Sequence, residues 1–73
     1  MKLKSNIGKL IDESPYKREY LKRRYNKTAT TISNWCTGRT FPTAPELFDL
    51  AHLLGVKVDD LYERGETDEG NYN

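Results

Sequence analysis

Thr30, Ser33, Asn34 and Thr37 recur at i, i+3, i+4 and i+7, the spacing that puts four side chains on one face of an α-helix. All four are short, neutral and able to hydrogen-bond, and the stretch from Thr28 to Gly38 contains no charged residue. A solvated helix face is ordinarily filled with charged side chains, so a neutral stripe flanked by Lys27 and Arg39 suits another use. The major groove of B-DNA admits one α-helix, and its base edges present donor and acceptor patterns that Asn, Thr and Ser can match, Asn pairing best with adenine. Cations at the two ends suit phosphates, which fix position without carrying sequence. The chemistry within reach of this constellation is hydrogen-bonded readout of duplex DNA.

No other constellation competes with it. A nucleophile, a base and an orienting group converge nowhere in the chain, so no enzyme activity and no catalytic residue is expected. One Cys and one His cannot supply the four ligands of a structural zinc site, so no metal and no cofactor is expected. Cys36 reads as a core filler beside Trp35, and Trp35 itself lies on an inward edge with Ile32 rather than on a base-stacking surface. His52 reads as a helix-surface residue. Asp59, Asp60 and Glu63 are explained by helix capping and dipole terms rather than by metal binding.

The 73 residues bound the frame. A chain of this size buries only about 60% of its unfolded surface, which leaves one thin core and no cleft for a small-molecule substrate. Its longest apolar stretch, Leu53 to Val56, is far short of the roughly 20 residues of a membrane helix, and no apolar run follows Met1 to Lys4. No membrane association and a cytoplasmic location are therefore expected. A net charge of +1 hides an asymmetry: residues 1–40 carry ten Lys and Arg against three acids, a net +7, and residues 41–73 carry two against eight, a net −6. The basic half suits a polyanion, and the acidic half is turned away from it or towards another protein.

The elements that must position the stripe are short helices. Ile7, Leu10 and Ile11 mark a first helix over residues 6–13, closed by Ser14 and Pro15. Tyr20, Leu21 and Tyr25 give a second helix over 17–25, ended by Asn26, which tolerates the left-handed turn conformation. Thr28 caps a third that starts at Ala29, carries Ile32 and Trp35 inward and stops at Gly38. Thr43 and Glu46 around Pro45 form a capping box for a fourth, whose Leu47, Leu50, Ala51 and Leu54 run to Gly55. A short fifth helix is expected at Asp59 to Tyr62. The domain spans residues 1–63, and residues 64–73 form an acidic tail expected to be disordered.

Ile7 to Glu63 resembles the Cro/repressor-type (XRE) helix-turn-helix family of bacterial and phage regulators. The matching landmarks are Tyr16, Leu21, the run Thr31 to Trp35, Gly38 with Arg39, Pro42, Leu47, Leu50 with Ala51, Leu54 to Val56, and Asp59 to Leu61. The resemblance implies an all-α, five-helix, lambda-repressor-like domain whose helix-turn-helix covers about residues 17–37, with the third helix in the major groove. It further implies that Ala29, Thr30, Ser33 and Asn34 face base edges. Lys17, Arg18, Lys27, Thr37, Arg39 and Thr40 resemble the family's phosphate contacts, where helix N-termini and loop amides also point at the backbone. Lys22, Asn26 and Lys27 depart from the family's small residue, Gly and apolar residue. The two lysines must pack their stems and extend their ammonium groups outward, which changes the angle between helices two and three.

The resemblance implies a regulator that represses a phage, plasmid or mobile element and binds double-stranded DNA as a homodimer, two copies occupying half-sites about one turn apart. Phe48, Val58, Leu61 and Tyr62 are the expected apolar contact for the second copy. With Asn, Thr, Ser and Ala but no Arg on the reading face, the half-site leans towards A·T pairs. The alternative is a protein-binding module that engages another regulator, as an anti-repressor or assembly partner, and the acidic half and the departures at Lys22 and Lys27 fit it.

Overall fold

The short elements end where identifiable side chains end them. The computed structural model describes residues 2–65, in the order β1 (Leu3–Ser5), α1 (Ile7–Asp12), α2 (Arg18–Tyr25), α3 (Ala29–Thr37), α4 (Ala44–Leu54), a 3-10 turn (Val58–Leu61) and β2 (Tyr62–Arg64). α1 stops where the Ser14 hydroxyl donates to the Ile11 carbonyl at 2.7 Å and accepts from the Tyr16 amide at 3.1 Å, straddling Pro15. α2 ends at Asn26, in the left-handed region at φ 55°. Two residues later Thr28 caps α3 by accepting the Thr31 amide at 3.1 Å. Gly38 closes α3 at φ 82°, a conformation that a side chain would strain. The capping box of α4 is reciprocal: the Glu46 amide donates to Thr43 Oγ1 at 3.3 Å, and the Thr43 amide to Glu46 Oε1 at 2.9 Å.

Each helix contributes one or two residues to a single core. Ile7 and Ile11 come from α1, Leu21 from α2, Ile32 and Trp35 from α3, Leu50 and Ala51 from α4, and Leu61 from the 3-10 turn. α1 approaches α3 closely because a glycine faces a small side chain there: a Cβ on Gly8 would lie 3.2 Å from the Cys36 Cβ. Among the described residues no helix is long and apolar enough to cross a membrane.

The all-α, five-helix expectation is corrected in two respects. Among the described residues four α-helices form, and the fifth shrinks to the 3-10 turn; a two-stranded antiparallel sheet pairs Leu3 with Arg64, Lys4 with Glu63 and Ser5 with Tyr62. The reason lies in the turn itself. The Asp60 carboxylate accepts the Lys57 amide at 3.0 Å, Leu61 drops into the core, and Tyr62 returns to the extended region at φ −141° to meet β1. Pairing with a strand nearly sixty residues away thus overrides the helical composition of Asp59 to Tyr62.

Leu61, expected on an exposed apolar patch, is therefore fully buried. Val58 and Tyr62 are half-buried, and of the four only Phe48 is well exposed, at 63%. β2 carries the chain through Arg64, one residue past the boundary expected at 63. Of the tail expected to be disordered over residues 64–73, residues 66–73 lie outside the described residues.

Candidate nucleic-acid interface

α3 is fastened by one face and free on the other. Ile32 and Trp35 are 1% and 3% exposed and hold the helix to the core, and the Trp35 carbonyl accepts the Ser5 hydroxyl of β1 at 2.7 Å. On the outer side Ala29, Thr30 and Ser33 are exposed and Asn34 is half-buried. Among the described residues the side chains of Thr30, Ser33 and Asn34 make no hydrogen bond, so their donors and acceptors are available. Thr37 is exposed one turn on from Asn34, with its hydroxyl donating to the Asn34 carbonyl at 3.3 Å. The four expected base-facing residues thus share one surface.

The flanking cations are distributed around that surface unequally. Lys17 and Arg18 are exposed at the start of α2, where Lys17 is extended and offers no side-chain cap. The first-turn amides are left without a side-chain acceptor, which favours an anion there. Arg39 and Thr40 are exposed just past α3. Their amides, however, turn back to the Asn34 carbonyl, at 2.9 and 3.4 Å. The loop amides implied by the resemblance are consumed in ending the helix, and only the two side chains face outward. Lys27 is half-buried, its Nζ 3.6 Å from Glu46 Oε2. Lys22, also half-buried, pairs with Glu19 at 2.9 Å. Both lysines extend their ammonium groups to a carboxylate, which is how these positions accommodate them.

Sequence reasoning missed the brace behind the interface. Arg24 and Tyr25, at the end of α2, both donate to Asp49 of α4. Hydrogen bonds from Arg24 and then Tyr25 hold the Asp49 carboxylate down at about 2, from an ordinary 3.8. Burial, followed by the bond to Asp49, pushes the Tyr25 hydroxyl up. Glu46 is lowered chiefly by the Thr43 amide that it accepts. Glu46 and Asp49 lie three apart on α4, opposite Arg24 in the last turn of α2 and Lys27, three further on in the turn that follows it, and this complementary spacing was the signal available. Cys36 behaves as the core filler expected of it: burial raises its thiol, which disfavours the reactive thiolate.

In comparison with known proteins, the model of one family, described as helix-turn-helix, matches residues 9–61, and therefore α2, the turn and α3 in full. No curated protein and no solved structure gives a match.

Proposed function

The chain belongs to the Cro/C1-type (XRE) helix-turn-helix family of DNA-binding regulators, and from that premise we propose that it is a sequence-specific double-stranded DNA-binding repressor of a phage, plasmid or mobile element, acting in the cytoplasm. The observation that carries this reading is the uncharged outer face of α3, on which the side chains of Thr30, Ser33 and Asn34 make no internal hydrogen bond among the described residues, with cations at its margins. In the major groove Asn34 pairs with adenine, Thr30 and Ser33 take either partner, and Ala29 lies against a thymine methyl. Lys17, Arg18 and Arg39 neutralise phosphates, with Lys27, Thr37 and Thr40 beside them.

One domain of this size makes a modest interface, so two copies occupy half-sites about 34–36 Å apart. Phe48, projecting from α4, is the most exposed of the large apolar side chains among the described residues and is offered to the second copy. The alternative, a protein-binding module acting as an anti-repressor or assembly partner, draws on the acidic half of the chain. The neutral reading face has no part in that alternative.

Fluorescence anisotropy of the pure protein on labelled duplexes tests the reading. Binding that weakens steeply from 50 to 200 mM salt, and that is lost in part on Asn34→Ala for one sequence and not for others, is the expected result. An Asn34→Ala variant with wild-type affinity for every duplex moves the function to the protein-partner reading.

A further inference from the structure

α2 and α3 present the proposed interface, and two side chains of α4 reach the end of α2 and the turn that follows it. Arg24 lays its guanidinium on Asp49, Nε to Oδ2 at 2.7 Å and Nη2 to Oδ1 at 2.9 Å. Its remaining nitrogen donates to the Tyr20 hydroxyl at 2.8 Å. The Tyr25 hydroxyl donates to the same Asp49 Oδ2 at 2.7 Å. The Tyr25 ring then meets the Trp35 ring of α3 edge-on, centroids 5.6 Å apart at 63°. Lys27 and Glu46 add a second tie between the turn and α4. One carboxylate therefore collects three donors from the last turn of α2, and one of them belongs to the ring that braces the reading helix.

Two properties set this apart from an ordinary surface ion pair. A two-pronged guanidinium–carboxylate contact fixes direction as well as distance, whereas a single Lys–Glu pair leaves both ends free to swing. Trp35, moreover, is almost wholly buried and adjacent in sequence to Asn34. In a close-packed interior a ring in that position cannot tilt without moving its own helix. Hydrogen bonds weaken over a few tenths of an ångström, so a small tilt of α3 changes which base edges Asn34 can reach.

We propose that Asp49 is a positioning residue for sequence recognition: through Tyr25 and Trp35 it sets the orientation of α3, and with it the bases that Thr30, Ser33 and Asn34 read, without touching DNA itself. The inference rests on the DNA-reading function proposed above.

Two measurements on the full chain test it separately from that function. In 1H–15N spectra of the free protein, Asp49→Asn and Tyr25→Phe each shift the Trp35 indole and the α3 amides, Thr30 and Asn34 included. The double variant adds little to the larger single effect, because the two act in one chain of contacts. Perturbations confined to α2 and α4 overturn the proposal whatever the protein does with DNA. On DNA, the expected result is a roughly tenfold loss of preference for the wild-type site over a scrambled duplex, with an unchanged salt slope since no phosphate contact is removed. Equal weakening on both duplexes, or an intact preference, contradicts it. Tyr25→Phe leaves the Arg24–Asp49 contact in place, so general destabilisation of Asp49→Asn does not remove the test. A wild-type protein that prefers no sequence defeats the DNA-reading function, and the spectra then still decide the positioning role.

Discussion

The Ser5 hydroxyl donates to the Trp35 carbonyl at 2.7 Å, joining the N-terminal strand to the last turn of α3, the helix proposed to read DNA. The same oxygen accepts the Ile7 amide at 3.2 Å, so one side chain both starts α1 and secures α3. The strand is part of the scaffold of α3, and Ser5→Ala is expected to lower stability by about 1 kcal/mol, the usual net value of such a bond. Thermal denaturation checks this; an unchanged melting temperature contradicts it.

Asn34→Ala removes a group proposed to face bases from a helix whose core anchors, Ile32 and Trp35, are untouched. The melting temperature should stay within a degree or two of wild type, as for a surface substitution. Affinity for the preferred site falls by about 1–3 kcal/mol and discrimination relaxes at one base pair. A loss of the same size on every sequence assigns Asn34 to the backbone instead.

Arg18→Ala and Arg39→Ala act in the opposite sense. Each weakens binding evenly across sequences and reduces the slope of log affinity against log salt by about one. A change in preferred sequence, measured by repeating a selection with either variant, moves that arginine onto the reading surface.

Acid should loosen the α2–α4 contact. Asp49 titrates at about 2 in the folded chain against an ordinary 3.8, and Glu46 is lowered in the same direction. A carboxylate held down by folding contributes stability above its unfolded range and loses it as pH falls through the folded value. The melting temperature is therefore steady from neutral pH to about 5 and drops between about 4 and 2, and Asp49→Asn flattens part of that drop. Identical acid profiles for the two proteins disprove the assignment.

The Tyr62 hydroxyl is buried and finds no hydrogen-bond partner among the described residues, while its ring packs edge-on against Phe41 at 5.5 Å. Tyr62→Phe keeps the ring contact and removes an unpaired polar group. It should leave stability equal or raise it by up to about 1–3 kcal/mol. A lower melting temperature points to a partner that the hydroxyl does have in solution.

What was legible in the sequence follows from how local each signal is. Helix ends depend on residues within four positions, so Thr28, Asn26, Gly38 and the Thr43–Glu46 box could all be placed beforehand. The neutral outer face of α3 was visible because an absence of charge is itself a sequence pattern. β1 was not: three residues are too few to show alternation, and their partner strand lies near the other end of the described chain. The fifth helix failed for the same reason, since Asp59 to Leu61 has helical composition but the pairing of Tyr62 with Ser5 draws the chain out. The Arg24–Asp49 contact spans 25 positions, and only the complementary spacing of charges along the two segments hinted at it. The legible neutral face of α3 and the unread Arg24–Asp49 brace thus have one cause, the range over which each interaction acts.

Selection from a randomised duplex pool, with the bound fraction sequenced, tests the central claim most directly. The wild-type protein is expected to enrich a two-fold symmetric motif, rich in A·T pairs, with half-sites about one helical turn apart. The contradicting result is a bound fraction as diverse as the starting pool, held by contacts that vanish as salt is raised.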